Sequence, residues 1–159
     1  MRTVSLRFIL GALLLTALNA CEQAAKTPVE GSLVAMDGKS FDFSSYRGKW
    51  VLINYWASWC SPCKKEIPEL NAFYKAHKDG NVVLLGVNYD GLGQEILPKV
   101  ISEAHIAYPN LLRDPAPALK LGKIPGIPVT FVFTPEGILK QKLFGEQTVA
   151  SLERVIKAR

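Results

Sequence analysis

The chain has 159 residues, of which 48% are apolar and 21% charged, and its formal charge is +5. That length suits one domain with one substantial core, and the composition excludes disordered and fibrous architectures. Arg2 and Arg7 carry two of the positive charges. The lysines are scattered and lack the interleaved aromatics of a basic nucleic-acid surface, so nucleic acid is excluded as a partner.

Arg2 and Arg7 precede an uncharged run from Phe8 to Cys21. The run is shorter than the ~20 apolar residues of a membrane-spanning helix and suits the core of a signal peptide; the alternative is a short uncleaved anchor. Its end, Leu18-Asn19-Ala20-Cys21, resembles a bacterial lipobox, in which the cysteine is acylated and becomes the first mature residue. Asn19 departs from the small residue usual there. An odd exposed thiol is a liability in an oxidising compartment, and acylation of Cys21 removes it. The expected organisation is a lipoprotein signal peptide over 1–20, a flexible tether over 21–30 and one folded domain over 31–159. The domain is expected outside the cytoplasm, lipid-anchored to a bacterial membrane, and facing the periplasm if the host has two membranes.

The domain opens with a predicted hairpin, Ser32–Met36 and Lys39–Phe43, joined by the strong turn signal Asp37-Gly38. A turn or single helical turn follows over Ser44–Gly48. The nearly continuous apolar runs Trp50–Trp56, Val82–Tyr89 and Val129–Phe133 read as strands buried on both faces. Between the first two, Ile67, Leu70, Phe73 or Tyr74, and His77 recur at helical spacing, flanked by the charged Lys64, Lys65, Glu66 and Glu69, and predict a helix over Cys63–Lys78, kinked at Pro68. Further helices are expected over Gln94–Ala104 and Ala116–Leu121, and a short strand over Asn110–Arg113. Pro135-Glu136-Gly137 turns the chain into a strand over Ile138–Phe144, and an amphipathic helix closes it over Thr148–Arg159. This alternation predicts an α/β fold with a mixed sheet and helices on both faces.

Cys60 and Cys63, in Trp59-Cys60-Ser61-Pro62-Cys63, follow a buried strand and begin a helix. Unpaired N–H groups and the dipole at a helix N-terminus favour negative charge, which lowers a thiol pKa, so Cys60 is the expected nucleophile and Cys63 the resolving thiol. Pro62 suits the first turn. Structural zinc needs two more ligands, and only His77 and His105 are available. Haem attachment needs His where Lys64 stands, and a peroxiredoxin-type site expects Thr where Ala57 stands. An inert structural disulfide is the remaining alternative. No metal or cofactor is expected.

Trp56-Ala57-Ser58-Trp59-Cys60-Ser61-Pro62-Cys63-Lys64 resembles the thioredoxin active site. Pro68 matches that family's kinked helix, and Ile127-Pro128 its cis-proline loop. The resemblance runs from about Leu33 to Arg159 and implies a thioredoxin-like fold. Within the superfamily the chain looks like the anchored reductases of the TlpA/ResA type, given the signal, the early hairpin and the extended stretch from Gly91 to Lys123. The resemblance implies a redox-active Cys60–Cys63 disulfide, with Pro128 packed against the pair, Ile127 bonding a partner's extended chain and Trp59 offering a docking surface. The alternatives are that Ile127-Pro128 is a simple strand-entry turn and that Trp59 only packs the loop. Thioredoxin carries a buried proton-relaying Asp where this chain has Asn54, so another group must serve; Asp90, past the second strand, is the possible relay, and a solvated loop acid is its alternative.

The leading expectation is a reductase transferring two electrons through Cys60 and Cys63 to disulfide-containing proteins. In the TlpA/ResA group such partners include apocytochromes c, in cytochrome c maturation, and copper-delivery proteins, with a membrane dithiol as electron donor. The alternatives are a disulfide oxidase or isomerase, or a non-enzymatic copper-handling module with the two thiols as soft ligands.

Overall fold

The computed structural model describes residues 27–158; the signal segment, Cys21 and the first part of the tether lie outside the described residues. The apolar runs form the centre of a mixed five-stranded sheet of order β5-β4-β3-β6-β7. Its strands are β3 (Trp50–Trp56), β4 (Val82–Asn88), β5 (Asn110–Leu111), β6 (Val129–Phe133) and β7 (Leu139–Phe144). β4 runs parallel to β3 and β5, whereas β6 is antiparallel to both β3 and β7. Ahead of them, β1 (Ser32–Val34) and β2 (Ser40–Asp42) form the expected hairpin, turning at Gly38 with φ +83°. The hairpin covers the short edge strand β5: Leu112 donates its backbone N–H to the Val34 carbonyl at 2.9 Å, and Ala35 bridges Leu111. Covering an edge in this way removes a site for unwanted strand pairing.

Alternation along β3 sorts its side chains between two layers. Leu52 meets Leu84 and Val132 beneath Leu70 and Phe73 of α1 (Ser61–His77) and Leu152 of α3 (Val149–Lys157). Val51, Ile53 and Tyr55 point the other way, to Phe131 and Phe133, under Phe43 of a single 3-10 turn (Phe43–Tyr46) and Leu119, Leu121 and Ile124. Burying each such large side chain stabilises the fold by about 1.5–3 kcal/mol before entropy is counted.

Two predicted helices are cut short or lost, both because of proline. α2 spans only Leu97–Glu103, starting three residues after Gln94, because Pro98 is tolerated in a first turn and not deeper. Residues 116–120 form turns and no helix. Pro115 and Pro117 interrupt the pattern, and Lys120 adopts a left-handed φ of +53° while Leu121 bonds back to the Ala116 carbonyl. In contrast α1 runs unbroken through the solvent-facing Pro68 and begins two residues before Cys63.

Candidate active site

β3 ends at Trp56, and the chain turns through Ala57 to place Cys60 at the N-cap of α1, with φ −80° and ψ 105°. Cys60 Sγ accepts the backbone N–H of Cys63 at 3.2 Å, one of the donors that a helix start leaves unpaired. Pro62, which has no N–H, sits where none would be bonded. The two cysteines form a disulfide across 5.3 Å between Cα atoms. The first turn of α1 holds no acidic residue to oppose the dipole's preference for a thiolate at Cys60.

Cys60 and Cys63 are both buried, in one apolar cluster with Trp56, Ala57 and Leu97 that Ile127 packs against. The Ile127–Pro128 peptide is cis, as the resemblance implied, and the Pro128 carbonyl accepts the Gly145 N–H at 3.0 Å. The floor of the cluster is fixed from the sheet: Trp56 donates its indole N–H to Asn110 Oδ1 at 2.8 Å. Asn110 can lie there because residue 86 is glycine; a Cβ at that position would sit 2.2 Å from Asn110 Oδ1.

At the rim, Trp59 is 63% exposed and donates its indole N–H to Asp90 Oδ1 at 2.6 Å. Asp90 is held in turn, its backbone N–H bonded to Asn88 Oδ1 at 3.0 Å. The carboxylate expected to relay protons is therefore exposed and engaged by the Trp59 indole.

The acid that the structure buries is Glu66, three residues beyond Cys63 and so on the same face of α1. It is 1% exposed. Its Oε1 accepts from Asn54 Nδ2 at 2.8 Å, and its Oε2 accepts from the backbone N–H of Gln147 at 2.9 Å. Asn54 Nδ2 also reaches Thr130 Oγ1 at 3.1 Å, and Tyr108 approaches Asn54 Oδ1 at a long 3.4 Å. Burial raises the Glu66 carboxyl to about 7 and the nearby charge of Glu146 adds to this, partly offset by the two N–H donors. A group titrating there takes or gives a proton readily near neutrality. Burial, and secondarily the Glu66 charge, pushes the Tyr108 phenol well above its ordinary range. The sequence reading placed Glu66 with the polar flank of the helix; the available signal was its spacing from Cys63 beside an uncharged Asn54.

His77 takes no part in this site. It contacts Glu153 at 2.5 Å and packs on Phe73, tying α1 to α3. Among the described residues no three His, Cys, Asp or Glu side chains are grouped to hold a metal ion.

The AhpC/TSA family pattern matches residues 23–142 of the chain. Thiol-disulfide oxidoreductase ResA of Bacillus subtilis (strain 168) is 30% identical over 153 residues, which cover 92% of this chain and 85% of that protein. Sporulation thiol-disulfide oxidoreductase A of the same organism is 27% identical over 139 residues, covering 86% and 84%. Among solved structures, StoA from Bacillus subtilis matches with a TM-score of 0.65 at 26% identity, over 80% of this chain and 96% of that one. A thiol:disulfide interchange protein of the thioredoxin family from Chlorobium tepidum TLS matches with a TM-score of 0.66 at 27% identity, over 82% and 92%.

Proposed function

The chain belongs to the AhpC/TSA family, and from that membership we propose a thiol–disulfide oxidoreductase that works outside the cytoplasm as a reductase of partner-protein disulfides. The observation that carries the mechanism is the buried Glu66 one turn beyond Cys63, titrating at about 7.

The Cys60 thiolate attacks one sulfur of the partner's disulfide. That S–S bond breaks, a mixed disulfide forms, and the partner's other sulfur leaves as a thiolate that water protonates. Cys63 then gives its proton to the Glu66 carboxylate and attacks Cys60 Sγ. The Cys60–Cys63 disulfide forms, and the partner's second sulfur leaves as a thiolate. Two electrons pass to the partner, and a dithiol donor at the membrane reduces the pair again. Asp90 holds Trp59 at the docking rim and moves no proton, while Ile127 and Pro128 line the groove for the partner's chain.

Location and direction rest on the sequence. Arg2, Arg7 and the apolar run ending at Cys21 support export and lipid anchoring at Cys21. Among the described residues no helix is long and apolar enough to cross a membrane. Resemblance to TlpA/ResA-type reductases supports the reducing direction, with apocytochromes c or copper-delivery proteins as partners. The test is the reduction potential of the Cys60–Cys63 pair. A reductase lies nearer the approximately −270 mV of thioredoxin than the approximately −120 mV of DsbA, and a value close to the latter makes the protein an oxidase.

A further inference from the structure

Asn54 stands in the middle of β3, opposite Thr130 of β6, on the face that α1 covers. Its amide is fully used. Nδ2 has two hydrogens, and they go to Glu66 Oε1 at 2.8 Å and Thr130 Oγ1 at 3.1 Å; Oδ1 faces the Tyr108 hydroxyl. A flipped amide would set its carbonyl against the ionised Glu66, which can only accept, so the carboxylate selects the orientation and the two hydroxyls, able to donate or accept, fit it. Gln147 supplies the second donor to Glu66 from the β7–α3 connection.

We infer that Asn54 is the positioning residue of this site: its amide, which the Tyr108 and Thr130 hydroxyls fit, holds Glu66 as an acceptor beside the resolving thiol. The inference rests on the proposed role of Glu66 in deprotonating Cys63. With one N–H aimed at each oxygen, both oxygens accept, and a protonated Glu66 must turn a hydrogen toward an N–H or give up that bond. The groups around the carboxyl come from every packed element. They are Asn54 of β3, Thr130 of β6, Tyr108 of the α2–β5 connection, Gln147 and the negative Glu146 after β7, and Cys63, Lys65 and Glu69 of α1. Glu146 is 3.7 Å from Lys65, and Glu69 is occupied by the Val149 N–H at 2.8 Å, so Asn54 is the side-chain donor that faces Glu66 directly. The acid and the amide have thus divided the task. The base sits on the helix, and the strand position that is acidic in thioredoxin supplies the donor.

Asn54→Asp tests this in the full chain, because it replaces a donor by a second carboxyl of nearly equal shape. Two carboxyls at that distance share one proton. The Glu66 titration, read from its 13C carboxyl resonance, then moves up by a unit or more, and resolution of a mixed disulfide at pH 7 slows about tenfold. Tyr108→Phe, which removes only the hydroxyl, shifts both in the same direction by two- to threefold. The exchanged pair Asn54→Asp/Glu66→Gln restores part of the resolving rate, since donor and acceptor are both present again. Glu66→Gln is the control. If it leaves resolution unchanged, the proposed role of Glu66 fails, and this inference with it. If it slows resolution while Asn54→Asp leaves the titration and the rate within twofold of the parent, Asn54 is not the positioning residue.

Discussion

At the rim of the site Asp90 is exposed and takes the Trp59 indole N–H at 2.6 Å, whereas in the interior Glu66 is 1% exposed and takes two N–H groups at 2.8 and 2.9 Å. Glu66 lies one turn beyond Cys63 and Asp90 bonds the residue just before Cys60, yet solvent separates their environments. Water competes for every bond at the rim, so the Asp90–Trp59 contact contributes little net free energy, and its proposed role is to orient the exposed Trp59 ring. In the interior, burial raises a carboxyl to about 7, the range in which a group suits the proton transfer proposed for Glu66. The role of an acid in this fold follows from what packs over it and not from its distance along the chain.

The largest effect expected falls on the sulfurs that both regions serve. Cys60→Ser abolishes reduction of a protein disulfide, and Cys63→Ser leaves a mixed disulfide on Cys60 that is visible by mass spectrometry. If Cys63 is the more readily alkylated thiol in the reduced protein, the two roles are reversed.

Next in size is the stability change tied to Glu66. Its carboxyl is raised from 4.5 to about 7, so the folded state binds the proton more tightly than the unfolded chain. The corresponding stability is fully present below about pH 4.5 and is lost as pH rises through 7, by roughly 3 kcal/mol in all. Glu66→Gln lacks this dependence, so its denaturation midpoint relative to the parent improves steadily from pH 4 to pH 8. A constant difference across that range contradicts the burial account.

Smaller effects belong to the rim. Trp59→Ala lowers kcat/KM for a protein disulfide by roughly tenfold, the value of a docking aromatic worth about 1.4 kcal/mol, mainly through KM. Asp90→Asn changes it by less than threefold and does not alter the pH profile; a shifted profile would move Asp90 from docking to proton transfer. Smallest of all, Cys21→Ala releases the protein from membranes and leaves its activity unchanged, and retention on the membrane would indicate an uncleaved anchor.

Much of the scaffold was legible because its signals are local. The apolar runs Trp50–Trp56 and Val129–Phe133 became strands with those bounds, each preceded by glycine within a few residues. Thr148 was expected to open the last helix and caps it through the Ser151 N–H at 3.2 Å. The redox pair was legible from spacing and from its place after a buried strand. The helix expected over Ala116–Leu121 failed because apolar spacing alone carries no account of Pro115, Pro117 or the left-handed Lys120. Glu66 was missed for a different reason. Lys64, Lys65 and Glu69 beside it mark a polar flank, and its burial is created by Asn54 and Gln147, which lie 12 and 81 residues away. Helical periodicity cannot show a partner supplied by tertiary contact.

The measurement that bears most directly on the central claim is the rate at which Cys63 resolves a preformed mixed disulfide on Cys60, followed from pH 5 to 9 in the parent and in Glu66→Gln. Deprotonation by Glu66 predicts a parent rate that rises through about pH 7 and a variant at least about 100-fold slower at neutral pH, its rate rising only with hydroxide. Superimposable profiles would contradict the assignment of Glu66 as the proton acceptor.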